Sequence, residues 1–470
     1  MQVPATDCRV APDEGLLRVL GLGSAILLVL GTVIGSGIFL TTGGMAALIP
    51  SPSLLLAAWA LGGALSIAGG LAYAELGAMY PRSGGVYVFL REAYGGLPAF
   101  LYGWSSLVVM ISGSTAAVAV GFAEYLSYFV PVLGTSNLVL RVPVPWGTFA
   151  ISAGQLVAAA SIGVLGAVNY VGVRSGNMLN VVLTATKVAG LLALPIMALV
   201  AGSARPEFTT AVPPDVVRPL ASFGIAMIAV LWTYESWHYV TYAAGEIKDP
   251  QRNVPRALVI GLAALTAIYL VVNLAYLFTL TIDEMRGVTR IAERAALALM
   301  GPAGAGFIAA TVVISTFGCN AAGLLGGSRV LFAMARDSAF LPAAGRVHPV
   351  YRTPHIAVAI LTTWSMVLAL SGSYEQLFTY VMFASIMFSV ATGVALFVLR
   401  RTQADRPRPY KAWGYPVVPA LFVIGSGAFV LNTLVERPVE SVTGVALVAL
   451  GIPVYWYARR GEPLSGPNRL

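Results

Sequence analysis

One lysine, Lys187, stands in the middle of a long apolar run, roughly ten residues from either end. At about 1.5 Å of helical rise per residue, its ammonium cannot reach water by stretching along its own helix. A cation held at such depth needs partners, and it marks either a functional position or a structural pair. A second loaded segment is Leu231-Trp232-Thr233-Tyr234-Glu235-Ser236-Trp237-His238, which sets a carboxylate, hydroxyls and an imidazole among apolar neighbours. The third is Gly35-Ser36-Gly37, inside Val33-Ile34-Gly35-Ser36-Gly37-Ile38-Phe39. Two glycines in three residues let a helix open there. An opened helix offers backbone N–H groups and a positive dipole end to an anion, and bare carbonyls to a cation. Small residues in a row also serve as a close-packing patch between helices.

The elements that hold these residues must lie in lipid. Of 470 residues, 58% are hydrophobic and 10% charged, with a mean hydropathy of +0.81. A soluble chain carries roughly a quarter charged residues, so a soluble enzyme is excluded. Runs such as Val19 to Ala74 and Ala295 to Ser328 contain no Asp, Glu, Lys or Arg, and about 20 apolar residues suffice to cross a bilayer. Twelve helical spans are expected near 22–47, 53–79, 97–130, 151–170, 177–201, 220–244, 257–280, 303–333, 356–372, 376–399, 415–433 and 441–458. The runs do not alternate apolar with polar residues, which excludes a membrane β-barrel. With the N-terminus inside, inner loops and tails hold 20 of the 28 Lys and Arg. That bias places both termini in the cytoplasm and accounts for the net +8 without nucleic acid. Cys8 and Cys319 fall in the N-terminal tail and in span 8, too far apart for a disulfide.

Spans 1 and 6 carry their irregular segments five spans apart. Broken helices in corresponding positions of two halves point to an inverted-repeat transporter. The expected division is an N-terminal tail (1–20), a first five-span repeat (21–202) and a second, inverted one (217–399). A basic linker (400–414), spans 11 and 12 (415–459) and a C-terminal tail (460–470) complete it. The loops near 80–95 and 285–300 are long enough for short extra helices.

Four separated motifs carry a resemblance to a known family. Gly31-Thr32-Val33-Ile34-Gly35-Ser36-Gly37-Ile38-Phe39 resembles the first-span motif of the amino acid–polyamine–organocation transporters. Ala72-Tyr73-Ala74-Glu75-Leu76-Gly77 with Pro81-Arg82-Ser83-Gly84-Gly85-Val86-Tyr87-Val88 resembles their span 2 end and inner loop. The stretch from Gly245-Glu246-Ile247-Lys248-Asp249-Pro250 to Gln251-Arg252-Asn253-Val254-Pro255-Arg256 is similar to their loop after span 6. Ser328-Arg329-Val330-Leu331-Phe332-Ala333-Met334-Ala335-Arg336-Asp337 is similar to their end of span 8. Within the family the chain is most similar to the L-type amino acid transporters over about residues 15–410. The resemblance implies an all-α, multi-pass, twelve-span protein with the five-plus-five fold of the bacterial leucine transporter, spans 1 and 6 broken.

It also implies roles for residues. The N–H groups of Ser36, Gly37 and Ile38 would take a substrate carboxylate, and the carbonyls of Val33, Trp232 and Glu235 its ammonium. Trp232 stands where the family covers the substrate with an aromatic ring, with Tyr234 and Ser236 beside the pocket. Lys187 resembles a lysine that replaces a sodium ion in sodium-independent relatives, contacting span 1 carbonyls and span 8. The matching span 8 stretch is expected at Gly326-Gly327-Ser328, poor in the hydroxyls a sodium site needs. Span 6 departs from the pattern, with no glycine between Gly224 and Gly245. It either unwinds on its own polar side chains or stays more helical than in relatives. Glu235 has three readings: a contact for a cationic substrate, a proton carrier, or a carboxyl satisfied by neighbouring hydroxyls. His238 is a weaker coupling candidate, and Glu75 and Glu124 read as boundary or packing charges. No cysteine occurs in 131–150, so no disulfide-linked heavy subunit is expected.

The leading expectation is secondary or exchange transport of amino acids by alternating access, sodium-independent, in the cell (inner or plasma) membrane, without cofactor or metal. Proton symport and transport of cationic amino acids or polyamines are the alternatives. A sensor without net transport is the different-class alternative. A membrane enzyme is disfavoured: His238, His348 and His355 are the only histidines, with no HExxH motif.

Overall fold

The computed structural model describes residues 18–459, apart from 145–146, 172, 203, 207, 209–217, 372–373 and 437. Most of the N-terminal tail with Cys8, the C-terminal tail and the start of the second repeat lie outside the described residues.

The apolar runs form helices. Span 1 is the pair α1 (Leu22–Val33) and α2 (Gly37–Leu48), bent by 41°. Ser51 then caps α3 (Pro52–Met79) by accepting from the Leu54 N–H, with proline at the first helical position. A short α4 (Val86–Tyr94) leads into α5 (Gly96–Ser105) and α6 (Ile111–Leu126), joined by a π-helical turn into one span. Next come α7 (Ala153–Val171) and α8 (Val173–Ala201), which carries Lys187. The second half comprises α9 (Pro219–Tyr234), α10 (Tyr239–Tyr242), α11 (Pro250–Thr279) and the capped turn α12 (Ile282–Met285). It continues with α13 (Ile291–Arg336), kinked at Gly301-Pro302, then α14 (His355–Ala369) and α15 (Tyr374–Thr402). The chain closes with α16 (Val417–Glu436), α17 (Pro438–Ala449) and α18 (Gly451–Arg459).

Among the described residues, nine helices are long and apolar enough to cross a membrane, and the bent α1–α2 pair makes a tenth. His355–Ala369 and Ser441–Tyr457 are shorter apolar helical stretches, and the expected twelfth span is split into α17 and α18. The fold is also not purely helical. An antiparallel hairpin, β1 (Leu138–Val144) with β2 (Gly147–Ser152), fills the loop before α7. The short extra helices expected near 80–95 and 285–300 are α4, α12 and the first arm of α13.

The core centres on α1, α3, α6, α11 and α13. Helix α3 packs on α11, α13 on both α6 and α8, α14 on α7, and α15 on α6. Helix α1 lies against α11, and α9 against α3.

Two buried ion pairs fasten one end of this core. Glu75, expected as a boundary or packing charge, is fully buried. It accepts from Arg400 Nε (2.9 Å) and Nη2 (2.6 Å) and from the Ala412 N–H (2.6 Å), with Arg408 Nε at 3.4 Å. The linker that follows α15 is thereby tied to α3. Glu246 receives Arg329 Nε at 2.9 Å and Nη2 at 2.8 Å, with 0% and 1% of the two side chains exposed. This pair joins two of the motifs noted in the sequence. Removing one partner leaves the other charge buried and unmatched, which costs about 3–5 kcal/mol. Arg329→Met is therefore expected to lower the melting temperature strongly. Pairing it with Glu246→Leu should recover most of the loss; a double variant no more stable than the single one would show that the pair is not the cause.

Candidate functional site

Helix α1 ends where its backbone meets four other helices. Residues Ile34–Ser36 lie between α1 and α2, so Gly37, expected within the break, is instead the first residue of α2. Five consecutive carbonyls at the end of α1 each accept from a side chain of another helix. Lys187 Nζ donates to Gly31 O (2.7 Å) and Ile34 O (2.6 Å). Cys319 Sγ reaches Thr32 O at 3.0 Å, and Tyr269 OH reaches Val33 O at 3.3 Å. Ser315 Oγ lies 3.1 Å from Ile34 O and 3.2 Å from Gly35 O. Carbonyls at a helix end have no partner of their own and carry its negative dipole, so a fully buried ammonium is matched here without a carboxylate.

Span 6 breaks without glycine. Helix α9 stops at Tyr234, Glu235 is extended, Ser236 takes φ 75°, and α10 resumes at Tyr239. A serine in the left-handed region costs on the order of 1 kcal/mol or more and persists only where neighbours hold it. Here Ser236 O accepts from Thr32 Oγ1 (3.1 Å) and from the Tyr239 N–H (3.1 Å). Tyr269 OH also lies 3.1 Å from Thr233 O, so one phenol bridges both broken helices.

Between the breaks is a small polar cavity of about 20 Å³, close to the room one water needs. Span 1 contributes Val33, Ser36 and Gly37 to its wall, and span 6 contributes Trp232, Glu235 and Ser236. Ser114 and Val118 of α6 and Cys319 of α13 close the side opposite. The N–H groups of Gly37 and Ile38 open α2, where no helical carbonyl precedes them.

Most of the expected site residues therefore meet at one place: Val33, Gly35, Ser36, Gly37, Trp232, Glu235 and Ser236 line the cavity. Two do not. Tyr234 turns to α3, its hydroxyl 3.2 Å from Trp59 O and its ring edge-on to Tyr269. His238 lies among Tyr73, Trp237, Tyr239 and Tyr242, and its Nδ1 is 3.9 Å from Glu235 Oε1. The expected span 8 stretch is also corrected. Gly326 faces Tyr239, Gly327 faces Ile111 and Leu361, and Ser328 Oγ bonds to Leu325 O. The residues of α13 that touch the span 1 break are Ser315 and Cys319, three helical turns earlier. Their i, i+4 spacing on an apolar helix was the available signal. Tyr269 was missed because an isolated tyrosine in an apolar span carries no mark of its partner.

Facing helix breaks around a polar cavity, set among membrane-length helices, define a membrane carrier of a small polar solute. The amino acid permease family matches residues 20–457, and this chain belongs to that family of the amino acid–polyamine–organocation superfamily, whose members transport amino acids. It is 30% identical to the serine/threonine exchanger SteT of Bacillus subtilis (strain 168), over 94% of this chain and 97% of that one. It is 28% identical to the human b(0,+)-type amino acid transporter 1, over 94% and 88% of the two chains. A mouse relative, large neutral amino acids transporter small subunit 2, is 30% identical over 94% and 81%.

Proposed function

We propose that the protein is a sodium-independent amino acid exchanger working by alternating access around the two broken helices. The observation that carries this reading is Lys187, whose ammonium occupies the span 1 carbonyls that a coupling cation would need. The substrate carboxylate meets the N–H groups of Ser36, Gly37 and Ile38, its ammonium the carbonyls of Val33, Trp232 and Glu235, and the Trp232 ring covers it. Exchange is also the activity named for the Bacillus subtilis relative.

The architecture proposed is twelve spans in two inverted five-span repeats, both termini in the cytoplasm. The packing supports it: exchanging each of the first ten spans with its counterpart five places away in the other half turns the contact of spans 1 and 7 into that of 6 and 2. The same operation exchanges the contact of spans 5 and 8 with that of 10 and 3, and of 4 and 8 with 9 and 3. No disulfide-linked subunit is proposed, since residues 131–150 hold no cysteine.

Uptake of a labelled amino acid panel into proteoliposomes tests the reading. Uptake should require internal amino acid and ignore sodium and proton gradients. Uptake driven by a proton gradient would replace exchange with symport. Binding without any movement would make the protein a sensor.

The Glu235 carboxylate on the cavity wall supports one second reading, a cationic amino acid or polyamine as substrate. An ionic contact to the side chain is worth about 1.5–3 kcal/mol. On that reading, Glu235→Gln weakens competition by lysine about tenfold or more while alanine is unaffected. Unchanged competition by both would retain a neutral substrate.

A further inference from the structure

A groove separate from the helix breaks lies at the end of the molecule that holds the two buried ion pairs. A groove of about 660 Å³ runs between the start of α11 and the linker after α15. Arg252 and Arg256 project into it from α11, and Lys411 from the linker. All three are exposed, and none forms an ion pair among the described residues. The nearby carboxylate of Glu75 is already matched by Arg400 and Arg408, so it does not neutralise them.

The order of residues along α11 is informative. Arg252 and Arg256 are followed on the same face by Val259 and Ile260, both exposed and both lining the groove. At about 1.5 Å per residue, the aliphatic pair sits roughly 4.5–6 Å further along the helix into the membrane than Arg256. Trp413, 79% exposed, and Tyr410 flank the cations, as aromatic residues do at the level of lipid headgroups. A cationic rim above an apolar wall matches one ligand, a phosphate diester with acyl chains attached.

We propose that this groove binds an anionic phospholipid of the cytoplasmic leaflet, its phosphate on Arg252, Arg256 and Lys411 and one acyl chain along Val259 and Ile260. The leaflet rests on the proposed orientation; the site does not depend on the exchange mechanism. Because the linker is tied to α3 through Glu75, a bound lipid bridges α11 to the tethered segment and steadies that end of the bundle. The attraction is about fivefold in affinity for each cation near an anionic surface.

The test uses the purified full chain in neutral detergent, titrated with phosphatidylglycerol, phosphatidylcholine or soluble glycerophosphate. Bound lipid is read by native mass spectrometry, and stability by melting temperature. Phosphatidylglycerol should bind and raise the melting temperature, and the other two should not. The triple variant Arg252→Gln/Arg256→Gln/Lys411→Gln should lose at least about tenfold in lipid affinity, whereas Arg346→Gln/Arg401→Gln, exposed arginines elsewhere, should bind as wild type does. Photoactivatable phosphatidylglycerol should label residues 250–260 and 409–413 of the unmutated chain, which keeps the test valid if the triple variant folds poorly. Labelling spread over other basic segments, equal loss in the control variant, or an equal effect of glycerophosphate would overturn the proposal. A protein that binds the lipid here yet proves a symporter or sensor would leave this site standing and only the exchange reading lost.

Discussion

Lys187→Met should reduce amino acid exchange to about one hundredth of wild type or less, with a clearly lower melting temperature. Methionine keeps the length and apolar stem of lysine and removes its donors. Gly31 O then loses the side-chain donor that the structure gives it, and Ile34 O keeps only Ser315 Oγ at 3.1 Å. A buried polar group left without a partner costs about 1–3 kcal/mol, a cost that falls on Gly31 O while Ile34 O loses one of its two donors. The loss falls where α1 passes into α2, so it displaces the N–H groups of Gly37 and Ile38 as well as weakening the fold. Arginine is no substitute: its planar fork is wider than a site whose carbonyls sit 2.6 and 2.7 Å from one nitrogen. Ser315→Ala removes one hydroxyl from carbonyls that Lys187 still supports in part, and its effect should be several-fold only. The measurement is exchange in proteoliposomes on variants that pass size-exclusion chromatography, with a sodium gradient imposed in parallel. Wild-type exchange and stability in Lys187→Met would remove the lysine from the mechanism altogether.

Lys187 also shows what made part of the site legible in advance. That span 1 carbonyls receive its ammonium came from the resemblance, and the structure identifies them as Gly31 O and Ile34 O. The lysine itself was marked by residue type alone, since an ammonium in mid-span needs partners. The same holds for Gly35-Ser36-Gly37 and for the carboxylate and hydroxyls of span 6, which are conspicuous in hydrocarbon. Register between spans was not legible. Ser315 and Cys319 are small and weakly polar, and their i, i+4 spacing marks one face of α13 without showing which helix that face meets. The span 6 break lacked its usual glycine, and it forms because contacts distant in sequence, Thr32 to Ser236 and Tyr269 to Thr233, hold a serine at φ 75°. Glu75 read as a boundary or packing charge, and the structure makes it a packing one; the choice was not legible because its partners, Arg400 and the Ala412 N–H, lie more than 300 residues away. The hairpin before α7 is too short for its alternation to stand out from the apolar helices around it.

The second large effect is expected at Gly37. Its φ is not in the left-handed region, so conformational freedom is not the reason for glycine here; close approach is. A Cβ added at Gly37 would stand 2.5 Å from Thr233 Oγ1 and 3.0 Å from Thr233 Cβ and Cγ2. Thr233 cannot swing away freely, because its hydroxyl bonds to Ala229 O at 2.8 Å and lies 3.3 Å from Thr41 Oγ1. The start of α2 must then move from α9, opening the cavity between Gly37 and Trp232 and carrying the α2 N–H groups with it. Overpacking of this kind costs about 1–3 kcal/mol, roughly a tenfold to hundredfold loss if it falls on the substrate-bound state. Gly37→Ala should therefore lower exchange by at least about tenfold while the protein still folds. Thr233→Ala removes two of the three clashing atoms and leaves Cβ at 3.0 Å, a contact that a shift of a few tenths of an ångström relieves. Adding Thr233→Ala to Gly37→Ala should accordingly restore part of the activity. That rescue separates close helix approach from an independent role of the glycine: a double variant as inactive as Gly37→Ala would place the defect in the backbone N–H geometry, not in the contact between the two broken helices.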